Sequence, residues 1–190
     1  VKRTALGIMG VSLKKPLHLT REGVDESKLQ ETFNTTVGNG SFYLYNHFGS
    51  TASDNLISKI RYLAKACNVD FVVLDHLHMA LSAVGDETTN DERKLIDYTV
   101  SKLRTLVEET GIGLILVEVS MNSLRGSASI GQLSDMIISM VRDLKSDKNT
   151  TKVNILKNRF SGETGKCCDL FYDLETGCLT EVKADVLDDF

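Results

Sequence analysis

The run VDFVVLDH, Val69–His76, places five apolar or aromatic residues among its first six and ends on a carboxylate and an imidazole. An apolar strand that stops on an aspartate has a chemical use. In open parallel sheets, ligands sit beyond the carboxyl ends of the strands. A carboxylate there can hold a Mg²⁺ that bridges nucleotide phosphates. Asp75 is therefore a candidate metal and nucleotide residue. On strand and aspartate alone, a helix cap or a solvated carboxylate is the more frequent outcome, because short motifs match often by chance. A lone His76 is more often hydrogen-bonded than a ligand.

A phosphate cradle should accompany such an aspartate, and GxxxxGK[ST] does not occur. SGETGKCC, Ser161–Cys168, contains Gly-Lys with the wrong glycine spacing and no following hydroxyl. It separates two apolar runs and reads as a hairpin turn. The four cysteines, Cys67, Cys167, Cys168 and Cys178, show no metal-ligand spacing, and the adjacent pair cannot easily bridge. Reduced thiols are the expectation.

The elements that must position Asp75 follow from apolar spacing. Leu56, Ile57, Ile60, Leu63, Ala64 and Cys67 recur at helical intervals over 54–67. Thr89 with Glu92 forms a capping box for a helix reaching Glu109. Strands are expected at RTALGIM (3–9), SFYLYN (41–46), Val69–Leu74 and IGLILV (112–117). MIISMV (136–141), KVNILKN (152–158) and CDLFYD (168–173) follow as further strands, with a turn at 175–177. A short helix is expected near 27–33. Strands alternating with helices, then strands in succession, indicate an α/β domain. Its sheet is mostly parallel with helices on both faces, and an antiparallel extension ends it.

The chain has 190 residues, 42% hydrophobic and 25% charged, with a formal net charge of −4. That suits a globular domain with a real core and excludes a bulk polycation. No apolar run is long enough to span a membrane, and no secretory leader is read at Val1. Residues 183–190 form an acidic tail.

Several of these stretches together resemble the replicative helicases of T-seven-like phages. FVVLDHLHMALSAVGDETTNDERKLID resembles their Walker B strand and the helix after it. SLRGSASIGQLSD (123–135) is similar to their DNA-binding Arg-Gly-Ser motif, and ILKNRFSGETG (155–165) to their arginine-finger hairpin. ETGCLTEV and the terminal DDF resemble the end of the same chains. The motifs occur in the family's order from Gly38 onward. The family is RecA-like, with a P-loop NTPase core, and its more distant members are DnaB and Twinkle.

The resemblance implies an NTP-hydrolysing motor, residues 1–182, that moves along single-stranded DNA as a hexameric or heptameric ring. Asp75 would bind Mg²⁺ with ATP or dTTP, and Tyr172 would stack on the base. Arg159 would be the finger reaching a neighbouring subunit's γ-phosphate, with Arg142 a second arginine near that interface. Arg125 and Gly126 would contact DNA. The tail ending in Phe190 would engage a phage DNA polymerase, in the cytoplasm of an infected bacterial host. The other readings are a RecA/RadA-type recombinase core, or a degenerate RecA-like module that only oligomerises.

The family pattern also asks for a phosphate loop before RTALGIM, an acid soon after it, and a polar residue ending IGLILV. Their absence implies residues missing at Met9/Gly10 and Val117/Glu118. It also implies that the phosphate loop lies outside this chain, which alone would hydrolyse NTP poorly.

Overall fold

A computed structural model describes residues 2–45, 53–77, 89–118, 128–142, 144–145 and 148–182. They form two compact units, one from 1–46 with 135–190 and one from 47–134.

In the unit 47–134, helix α3 (Ser53–Ala66) leads to strand β1 (Phe71–Asp75). Helix α4 (Thr89–Thr110) then precedes β2 (Gly113–Val117), and the short helix α5 (Ala128–Leu133) follows. β1 and β2 pair in parallel, from Phe71 opposite Gly113 to Asp75 opposite Val117. Leu56, Ile57 and Ile60 of α3 and Ile96, Val100, Leu103 and Leu106 of α4 are buried together with Ile130 of α5. Val72, Leu74, Leu114 and Leu116 pack against this cluster. The apolar spacing of each helix matches one covered face of the strand pair. The alternate residues Phe71, Val73 and Ile115 are exposed by 70%, 62% and 52%, so the described helices cover one face. Tyr98 donates from its hydroxyl to Asp54 at 3.3 Å, tying α4 to α3 at the surface.

The other unit holds α1 (Lys2–Leu13), α2 (Glu26–Thr35) and strands β3 (Met136–Arg142), β4 (Thr150–Asn158), β5 (Gly165–Tyr172) and β6 (Leu179–Glu181). The four strands make one antiparallel sheet in sequence order. This is the expected extension. α2 starts on Asp25, whose carboxylate accepts from the Ser27 amide at 3.1 Å.

Two expected strands are corrected. RTALGIM lies inside α1, which runs through Met9 and Gly10. A seven-residue apolar run does not distinguish helix from strand by itself. Here the ending decides. Lys14 adopts φ 50°, the Lys15 amide donates to Gly10 O at 2.9 Å and the Lys14 amide to Val11 O at 3.3 Å. This pair of bonds is the Schellman helix terminus. A Cβ on Gly10 would lie 2.5 Å from the Lys15 carbonyl oxygen, so only glycine lets the chain fold back there. Ser41–Tyr45, expected as strand, joins no ladder among the described strands. Alternating aromatics favour a strand only where a neighbouring edge supplies hydrogen bonds. At the far end, the turn after β5 docks on Pro16. Gly177, at φ +67°, leaves 3.0 Å between a built Cβ and the Pro16 Cβ.

Candidate functional site

Asp75 is the last residue of β1, level with Val117 at the end of β2. Both carboxyl ends thus open at the same edge. The Asp75 side chain is 71% exposed and the His76 Nδ1 lies 3.7 Å from its Oδ1. The peptide between them is cis. Leu77, 2% exposed, anchors the chain immediately beyond. The result is a hydrated carboxylate held on a rigid strand end, with an imidazole beside it. No group of three His, Cys, Asp or Glu residues suited to a metal exists among the described residues. The described residues therefore supply no all-protein metal cage beside Asp75. A Mg²⁺ that takes one carboxylate and otherwise phosphate and water oxygens fits a lone exposed aspartate.

Arg142 and Tyr172 come together through Asn149. The Arg142 guanidinium donates from Nη2 to Asn149 Oδ1, and the Tyr172 amide donates to the Asn149 carbonyl at 2.8 Å. The ladder explains the meeting. Arg142 ends β3 opposite Thr151, and Phe171, next to Tyr172 at the end of β5, lies opposite Thr150. Asn149 occupies the step just before β4. In the sequence it is one polar residue in the turn-like stretch SDKNTT, and nothing marks it as a bridge.

Arg159 stands at the other end of β4. Its amide donates to the Asp135 carbonyl at 2.9 Å, and its Nη1 lies 3.8 Å from Asp135 Oδ1. The side chain is 52% exposed. The hairpin beyond it is organised by Asn158. The Asn158 Oδ1 accepts from the amides of Phe160 and Ser161 at 3.0 and 3.3 Å, and its Nδ2 donates to Ser161 Oγ at 2.8 Å. The Gly162 amide donates to the Asn158 carbonyl at 3.0 Å. A short polar side chain that bonds the amides following it fixes such a turn. Lys157 adds a second cation. Desolvation first, and the Arg159 charge second, hold its ammonium below the ordinary 10.5, while Asp135 acts in the opposite sense.

β4 has nine residues. At about 3.3 Å per residue it spans roughly 25–30 Å. Arg159 and Arg142, both expected near one interface from the resemblance, thus lie beside opposite ends of β4, Arg142 next to Tyr172. Arg125, Gly126 and the tail with Phe190 fall outside the described residues.

No family model matches the chain. It is 32% identical over 200 residues to a DNA helicase/primase of Enterobacteria phage T3, a match covering 94% of this chain. The chain is thus similar in sequence to part of that phage helicase/primase. It spans 35% of the relative's length. Among solved structures, a KaiC-like protein of the archaeon Pyrococcus horikoshii superposes with a TM-score of 0.58 at 20% identity, over 86% of this chain and 73% of that one. That likeness gives the chain a RecA-like α/β fold.

Proposed function

We propose that this chain is part of the motor of an NTP-driven replicative DNA helicase, a protein that moves along single-stranded DNA as a ring. The observation that carries the reading is the separation along β4. A single nucleoside triphosphate is shorter than that strand, so Tyr172 and Arg159 serve two different nucleotides. Tyr172, with Arg142 held beside it through Asn149, lies where a base could stack in one protomer's site. Arg159, on a hairpin fixed by Asn158, is presented outward to the γ-phosphate of the next protomer's nucleotide. A guanidinium suits that task because it stays charged and offers a planar fork of donors. Head-to-tail use of two distant surfaces generates a closed ring when the rotation closes.

Asp75 would hold the Mg²⁺, which when bound neutralises charge developing on the phosphoryl oxygens. His76 lies close enough to orient the carboxylate. Arg125 and Gly126 would bind DNA phosphates without reading sequence. The acidic tail, ending in an aromatic, would steer to a basic patch on a DNA polymerase and anchor there through Phe190. The setting would be the cytoplasm of an infected bacterium. ATP or dTTP would be the fuel, hydrolysed by the whole parent protein.

The test is Asp75→Asn in the full parent protein. The substitution keeps the side-chain volume and removes the charge, so the fold persists while NTP hydrolysis falls by about a hundredfold or more. Near-normal turnover with unchanged Mg²⁺ dependence would reject the assignment.

A further inference from the structure

β5 contains a feature that the helicase reading does not use. Val153 of β4 lies opposite Cys168, and the next residue, Asn154, lies opposite Lys166. Cys167 has no partner and is the extra residue of a β-bulge. Adjacent side chains on a regular strand point to opposite faces. The bulge breaks that alternation at these two residues and brings two neighbouring cysteines out of strict opposition. Both are free, with Cys167 exposed and Cys168 half-buried.

We propose that Cys167 and Cys168 form a dithiol site, built by the bulge, that chelates a trivalent arsenical or a comparable trivalent thiophile through both sulfurs. Two alternatives are less suited to the geometry. A disulfide between neighbours must close over Cα atoms about 3.8 Å apart, below the usual span of about 4.4–6.8 Å. An arsenic atom lengthens the bridge by one member and relieves that constraint. A divalent ion such as Zn²⁺ wants four ligands, and no third metal donor joins the pair among the described residues.

The exposed Cys167 thiol attacks first. Burial foremost, then the hydrogen bond with Cys167 and the nearby charges of Glu181 and Asp169, keep the Cys168 thiol protonated above its ordinary range, so it closes the ring second. With an organic arsenoxide, two As–S bonds replace the bonds from arsenic to oxygen. The two thiol protons leave with that oxygen as one water. Arsenic stays trivalent, and no electrons are transferred. The second sulfur acts at high effective concentration, so the chelate should exceed a single-thiol adduct by about a hundredfold or more in affinity.

Phenylarsine oxide on the intact protein is the probe, read by native intact-mass spectrometry and thiol titration. One phenylarsenic group per chain is expected, with the loss of two titratable thiols. The adduct should survive a large excess of glutathione and be reversed by dithiothreitol. The variant lacking the other cysteines, C67S/C178S, should retain it, while C167S and C168S should each lose glutathione resistance. Because the site belongs to the folded strand, the adduct should raise the melting temperature of the native protein. An adduct that persists in C167S, is stripped by glutathione, or lowers the melting temperature would overturn the proposal.

Discussion

Asp135 stands between two cations, Lys157 and Arg159, and its role there is electrostatic as much as structural. The native Lys157 titrates below 10.5. Between that lowered value and 10.5 the unfolded chain binds more protons than the native one, so stability rises with pH across this window. Asp135 is the influence that raises the Lys157 value. Asp135→Asn should therefore push Lys157 lower still and widen the window toward neutral pH. An NMR titration of the Lys157 side chain reads this directly, and an unchanged or higher value would disprove the coupling. Asp75, Arg159 and Tyr172 were picked out only through the resemblance, since a strand-end carboxylate, a hairpin guanidinium and a strand phenol each have commoner uses. Asn149, Asn158 and Asp135 were not. Their functions depend on which strand ends meet, and a sequence does not display that.

Among the elements, α3, α4, β1, β2, β3, β4 and β5 could be read from apolar spacing, with ends shifted by up to three residues. α1 could not, because its run is too short for periodicity to choose, and the choice was made by the turn at Lys14. A lysine held at φ 50° carries a Cβ penalty that glycine avoids. Lys14→Gly should stabilise the fold by about 1 kcal/mol, measured as a shifted urea midpoint at constant m-value. A loss of stability would mean that the lysine side chain contributes more than its backbone costs. The turn between β5 and β6 responds to acid. The Asp173 carboxylate accepts from the Glu175 amide at 2.9 Å and the Thr176 hydroxyl at 2.8 Å, and these bonds, the backbone one foremost, hold its pKa below 3.8. Its contribution is full above 3.8 and fades as pH falls through the lowered value. Asp173→Ala should thus destabilise the protein at pH 7 and converge with the parent in strong acid. Denaturation curves at both pH values check it, and a constant offset would contradict the assignment.

At the scale of the whole molecule, the proposed motor shares catalysis between protomers. Arg159→Ala should lower NTP hydrolysis by about a thousandfold or more while nucleotide binding persists. Mixing it with Asp75→Asn should restore activity at interfaces where one chain supplies the aspartate and the other the arginine. Hetero-oligomers without any recovery would exclude a finger acting in trans. The discontinuity of the first unit has a separate consequence, for how the chain is made. Its first segment, 1–46, must meet 135–190, while 47–134 lies between them. On a ribosome adding about 5–20 residues per second, roughly ninety residues take several seconds to emerge. During that interval α1 and α2 leave the exit tunnel with no sheet to fold against. Translation speed through the middle of the message therefore sets how long residues 1–46 stay open to proteases and to neighbouring nascent chains.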